Sequence, residues 1–104
     1  MIAEGGKTPH RILYVGADIT LAERLGRALD DCHVIRCPVG SPARLLIRSE
    51  IKYSLLLFDE EQAEELGSLA RSLRHREHTP VAAFKESEGF GKLVYNIRRK
   101  LAGL

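Results

Sequence analysis

Hydrophobic positions along this chain alternate between short continuous runs and segments with a helical repeat. The runs lie at 11–16 (RILYVG), 33–37 (HVIRC), 55–58 (LLLF) and 80–84 (PVAAF). Short aliphatic and β-branched runs bounded by glycine or polar residues are typical of β-strands. The run at 55–58 has no polar member, which predicts a strand covered on both faces, as in the middle of a parallel sheet.

Between and after these runs, apolar residues recur three or four positions apart, which predicts amphipathic helices. The first helix is predicted to begin with a capping box of Thr20 and Glu23. The second is predicted to begin with Ser41 as its N-cap, followed by Pro42. A third helix is predicted to end near Arg76, and a fourth follows the last strand. The pattern is a strand followed by a helix, four times over.

This order of elements predicts an α/β fold with three layers, in which helices cover both faces of a parallel sheet. A chain of 104 residues is long enough for one such domain. We place the domain at residues 11–104. Residues 1–10 are predicted to form a flexible N-terminal tail, because this segment holds glycine, lysine and proline in place of a regular hydrophobic pattern.

Composition narrows the choice of partners and location. Sixteen lysine and arginine residues against fourteen acidic residues give a formal charge of +2, which provides no strong field for nucleic acid or an anionic membrane. No run is long enough for a membrane span or a signal peptide, so we expect a cytoplasmic protein. Cys32 and Cys37 are five positions apart in a predicted strand, and therefore on opposite faces, which predicts free thiols.

Acidic residues follow the predicted central strand directly. Asp59, Glu60 and Glu61 stand where that strand ends, and the carboxyl ends of strands are where open α/β sheets place their ligands. Asp18 stands just after the first strand. Asp18 and Asp59, together with Glu60, could ligate Mg²⁺; alternatively, Asp18 caps the first helix and the acids form a solvated patch.

Four segments resemble the receiver domains of bacterial two-component response regulators. They are 11–18 (RILYVGAD), 53–59 (YSLLLFD), 79–84 (TPVAAF) and 90–101 (FGKLVYNIRRKL), which are similar to the first, third and fourth strands and the final helix of that family. The resemblance implies a flavodoxin-like, CheY-like sheet with strand order 2-1-3-4. It also implies that Asp59 occupies the phosphoacceptor position.

The chain departs from the family at positions that matter for its chemistry. The acidic pair that holds Mg²⁺ in the family corresponds here to Gly16 and Ala17. About one strand-helix unit is missing after the fourth strand. Lys85 follows that strand, and either replaces the family's Ser or Thr or corresponds to its lysine. We therefore expect no resident cofactor or metal and no enzymatic activity.

The resemblance and the departures together predict an atypical pseudo-receiver. We expect it to act in signal transduction by protein-protein interaction, with a histidine kinase or another regulator as partner and with phosphorylation lost or weak. One alternative is a functional phosphoacceptor that uses Asp59 with a histidine kinase, supported by Asp18 and Lys85. A second is a small nucleic-acid-binding module that uses the basic C-terminal helix through Arg98, Arg99 and Lys100, together with Tyr95.

The missing unit also leaves the fourth strand at the edge of the sheet. Exposed edges with apolar side chains are normally covered or used for association. We therefore expect a homodimer, although the last helix could instead complete the core of a monomer. The candidate interface residues are Val81, Phe84, Phe90, Leu93, Val94 and Ile97.

Overall fold

The computed structural model describes residues 10–103, which form a parallel sheet with helices on both faces. The strands are β1 (His10–Val15), β2 (Cys32–Cys37), β3 (Leu55–Asp59) and β4 (Val81–Phe84). The α-helices are α1 (Ile19–Ala28), α2 (Ser41–Arg48), α3 (Glu60–Ser72) and α4 (Phe90–Leu101). Two 3₁₀ turns, Arg74–Arg76 and Glu86–Glu88, precede and follow β4. Within the described residues, no helix has the length and apolar character needed to cross a membrane.

The strands lie in the order β2-β1-β3-β4, and all neighbouring pairs are parallel. Leu56 in β3 lies opposite Leu13 of β1 on one side and Val81 of β4 on the other. All four apolar residues of β3 are fully buried, as predicted for a central strand. The predicted α/β class, the parallel sheet and the strand order 2-1-3-4 are confirmed, in a flavodoxin-like arrangement.

Alternation along the strands divides the core into two layers, one on each face of the sheet. Ile12 and Tyr14 of β1 pack with α1 and α4, whereas Leu13 and Val15 pack with α2 and α3. Burying side chains of this size contributes about 1.5 to 3 kcal/mol each. Cys32 lies against the layer under α1 and α4, and Cys37 lies in the layer under α2 and α3. Both are free thiols.

Two helices begin differently from the sequence prediction. The N-cap of α1 is Asp18, whose Oδ1 accepts a hydrogen bond from the Leu21 N–H at 2.9 Å. The prediction of a capping box that begins at Thr20 is therefore wrong. Both residue types are good caps, and Asp18 takes the role because β1 ends three residues before it. The N-cap of α2 is Gly40, with φ of 127°, and Ser41 is already helical. That backbone conformation favours glycine.

The third helix ends at Ser72, earlier than predicted, and the chain then turns so that Arg76 points inward. Arg76 is only 2% exposed. Its guanidinium donates to the carbonyls of Ile47 at 3.0 Å and Ser49 at 2.8 Å, and also to that of Ile51. Burial lowers the pKa of this guanidinium, although arginine remains charged. Arg76 thereby supplies donors to carbonyl groups in the last turn of α2 and in the loop that leads to β3.

The domain begins one residue earlier than predicted. His10 was assigned to the tail but is the first residue of β1, where it pairs with Cys32 of β2. The rest of the predicted tail, residues 1–9, lies outside the described residues.

Candidate functional site

An acidic cleft of about 390 Å³ lies where β1, β3 and β4 end. It is formed at the carboxyl edge of the sheet, as expected for a parallel α/β domain. The structure brings the predicted residues Asp18, Asp59 and Glu60 together in its wall. The complete lining is Ala17, Asp18, Asp59, Glu60, Glu61, Phe84 and Glu86.

Asp59 is held from both sides by donors of the protein itself. The Tyr14 hydroxyl donates to Asp59 Oδ1 at 2.7 Å, and the Ala17 N–H donates to Asp59 Oδ2 at 3.3 Å. Tyr14 is fully buried in β1. Burial raises the pKa of its hydroxyl, and the bond to Asp59 raises it further. At neutral pH the hydroxyl therefore keeps its proton and remains a donor to the carboxylate.

Gly16 lies directly beside this hydrogen bond. A Cβ added at Gly16 would overlap the Oη and Cζ atoms of Tyr14 and would lie 2.5 Å from Asp59 Oδ2. The Gly16 backbone is fixed as well, because its N–H donates to the Cys37 carbonyl at 3.1 Å and its carbonyl accepts from Arg36 at 3.0 Å. The phenol of Tyr14 thus occupies the space that a side chain at position 16 would need.

The side chains of Asp18 and Lys85 have partners other than Asp59. The carboxylate of Asp18 caps α1, which confirms that reading of the sequence. The Lys85 Nζ lies 3.7 Å from Glu60 Oε2, and both side chains are about half exposed. Exposed ion pairs of this kind contribute little to stability. Lys85 therefore balances part of the charge of Glu60.

The donors at Asp59 compete with a bound Mg²⁺ ion for the carboxylate lone pairs. A hard cation of this kind needs free carboxylate or carbonyl lone pairs in near-octahedral geometry. Here one oxygen of Asp59 accepts from an O–H group and the other from an N–H group. Across residues 10–103, no group of three or more His, Cys, Asp or Glu residues has a geometry that could hold a metal ion.

The predicted interface is partly wrong. Leu93 is 4% exposed and Ile97 is fully buried, and both pack with α1 and the sheet. Phe84, Phe90 and Val94 are half-buried against the same layer, and Val81 is half-buried against the opposite layer. This face of α4 completes the core of the single chain, because an amphipathic helix must cover its apolar stripe against the sheet.

The basic end of α4 is partly engaged within the chain. Arg98 lies 3.6 Å from Asp31 Oδ1 and donates to the Ala28 carbonyl at 3.2 Å. Arg99 lies over the ring of Tyr95 at 5.7 Å from its centroid. Both arginines thus contact groups of the same chain, and cations are common near a helix C-terminus in any case.

Sequence reasoning missed Tyr14, which is the main partner of Asp59. A signal was present, because a tyrosine in the middle of an apolar strand must find a partner for its hydroxyl group. The identity of that partner depends on how β1 and β3 pair in the sheet, where Tyr14 lies opposite Leu57.

Fold and site define a flavodoxin-like α/β domain with an acidic cleft at its carboxyl edge. Comparison with protein-family models, with curated proteins and with solved structures finds no match for the chain.

Proposed function

We propose that the chain is a pseudo-receiver. Its Asp59 accepts a hydrogen bond from Tyr14 and does not accept a phosphoryl group. It acts in signal transduction by binding another signalling protein, such as a histidine kinase or another regulator. The observation that carries the proposal is the hydrogen bond of 2.7 Å from the Tyr14 hydroxyl to Asp59. The strand order and the position of Asp59 at the end of β3 support the resemblance on which it rests.

Phosphoryl transfer to a carboxylate needs a nucleophilic oxygen and a cation that neutralises the developing charge. Both oxygens of Asp59 already accept hydrogen bonds, which lowers their nucleophilicity. Position 16 has no room for an acidic ligand, and Asp18 is engaged at the N-terminus of α1. The remaining carboxylates of the cleft repel a phosphoryl donor.

We further propose that the protein works in the cytoplasm. Cys32 and Cys37 are free thiols, as is usual for cysteines in that reducing compartment.

The chemistry is tested by incubating the protein with Mg²⁺ and acetyl phosphate and measuring intact mass. We expect no stable phosphorylated species from the wild-type chain. Tyr14→Phe is the informative variant, because it frees one oxygen of Asp59 while keeping the aromatic ring. Stoichiometric modification of the wild-type protein that disappears in Asp59→Asn would overturn the proposal and establish the phosphoacceptor alternative.

The interaction is tested with purified histidine kinases and regulators from the same cell. We expect binding of equal strength by the wild-type protein and Asp59→Asn, since the proposal requires no modification of Asp59. Binding that appears only after a kinase has phosphorylated Asp59 would contradict it.

A further inference from the structure

The outer edge of β4 has unpaired backbone groups. On the inner side, the Leu56 N–H donates to the Pro80 carbonyl at 2.9 Å. Since successive residues of a strand direct their backbone groups to opposite sides, Val81 and Ala83 direct theirs away from β3. Among residues 10–103, no group hydrogen-bonds to the outward-facing N–H and carbonyl groups of Val81 and Ala83. The edge can therefore accept a further strand.

The opposite edge of the sheet is less suited to pairing. β2 carries His33 and Arg36, and Arg36 reaches across to the Gly16 carbonyl. Charged side chains on an edge strand are a common protection against association. β4 has the sequence VAAF, without a charged residue, and Ala83 is exposed. Of the two edges, β4 is the one without this protection.

The side of α3 that borders this edge has opposite charges at its two ends. A Cβ at Gly67 would lie 3.8 Å from Val81 Cγ1 and 3.5 Å from Arg71 Nη1, so Gly67 and Arg71 lie next to β4. The contact between Glu60 and Lys85 places the first turn of α3 on the same side. Glu64 is four residues after Glu60 and shares that side. The order along the helix is acid, glycine, then arginine.

We propose that β4 pairs with β4 of a second copy of this chain, in antiparallel orientation, to form one continuous sheet. The twofold axis passes Ala82 and is perpendicular to the sheet. Val81 of one copy then lies opposite Ala83 of the other, and both pairs exchange N–H and carbonyl hydrogen bonds. This register uses the outward-facing groups of both residues in both copies.

A second copy is favoured over an unrelated strand because α3 is complementary to itself. Antiparallel pairing of β4 places the two α3 helices side by side in opposite directions. Their axes would be about 14 Å apart, which is about three strand spacings. That distance leaves room for Arg71 of one copy to reach Glu64 of the other, and Gly67 adds no side chain between them. Each ionic contact occurs twice because of the symmetry.

Sedimentation equilibrium across the micromolar range, at low ionic strength, tests the proposal. We expect the wild-type protein to dimerise. Ala83→Pro removes one outward N–H donor and leaves pairing with β3 intact, so it should abolish the dimer. Arg71→Glu makes two symmetric contacts repulsive and should weaken dimerisation by about tenfold. Glu64→Arg combined with Arg71→Glu should restore it.

Arg27→Glu is the matched control, because Arg27 is an exposed cation in the last turn of α1, away from the edge. It should leave the dimer unchanged. A wild-type protein that stays monomeric would overturn the proposal, as would a dimer that persists in Arg71→Glu or is weakened equally by the control. If circular dichroism shows that Ala83→Pro does not fold, Arg71→Glu and the double variant Glu64→Arg/Arg71→Glu test the proposal instead. Both substituted positions are exposed, so these variants should fold.

Discussion

Gly16→Ala tests whether the phenol of Tyr14 fills the space beside Asp59. The added methyl group would overlap the hydroxyl end of Tyr14 and lie 2.5 Å from Asp59 Oδ2. Neither neighbour can move freely. Tyr14 is fully buried in the layer beneath α1 and α4, and Asp59 is tied to the Ala17 N–H. One methyl group at this position should therefore strain the site, although alanine is ordinarily a mild replacement.

The size of the effect follows from overpacking. Forcing an extra carbon into a close-packed region costs about 1 to 3 kcal/mol, and we expect about 2 kcal/mol here. Tyr14→Leu removes the ring end and its hydrogen bond, which should cost about 2 to 4 kcal/mol through the cavity and the lost bond. In the double variant the methyl group enters the space that the ring has left. Gly16→Ala should therefore cost less in the Tyr14→Leu background than in the wild type, because only the contact with Asp59 Oδ2 remains.

Urea unfolding of the wild type, the two single variants and the double variant measures this coupling as a double-mutant cycle. Gly26→Ala is the control, because Gly26 lies in α1 and no atom comes within 4 Å of an added Cβ there. Alanine should stabilise that helix position by about 0.5 to 1 kcal/mol. A Gly16→Ala protein within about 0.5 kcal/mol of the wild type, or simple additivity with Tyr14→Leu, would refute the reasoning.

Two further predictions concern the core and the response to alkali. Leu56→Ala should lower the free energy of unfolding by about 2 to 5 kcal/mol, because Leu56 is fully buried in the central strand; a loss below about 1 kcal/mol in urea unfolding would contradict its role. The folded protein holds the Tyr14 proton more tightly than the unfolded chain, because the pKa of Tyr14 is raised from its ordinary value of 10.0. The resulting contribution to the free energy of unfolding is fully present below pH 10. Above pH 10 it falls by up to about 1.4 kcal/mol per pH unit. Tyr14→Phe should lack this part of the slope, and equal slopes in both proteins would disprove the assignment.

The fold could be predicted because its main features depend on local patterns. The uninterrupted apolar run of β3 predicts a strand covered on both faces, and the structure buries all four apolar residues. The spacing of Cys32 and Cys37 was sufficient to place them in different layers. Strand order came from the resemblance, since periodicity alone says nothing about which strands are neighbours.

The details that were missed depend on contacts between distant residues. Arg76 reads as one of several cations near the end of a helix, where the helix dipole favours them. Its burial results from the carbonyls of Ile47 and Ser49, which lie almost thirty residues earlier. Likewise, the stripe of α4 that contains Leu93 and Ile97 predicts a buried face. The sequence does not tell whether that face packs on its own sheet or on a second copy.

In the proposed pseudo-receiver, two features of the site share one cause. By the resemblance, Gly16 stands where that family has an acid. In the structure the Tyr14 ring lies where that acid would need space, and its hydroxyl takes an oxygen of Asp59. An aspartate at position 16 would therefore meet the same obstruction as alanine, with an added charge beside Asp59. An acidic residue at position 16 therefore requires a smaller residue at position 14 first, so Tyr14 determines which side chains this part of the cleft can hold.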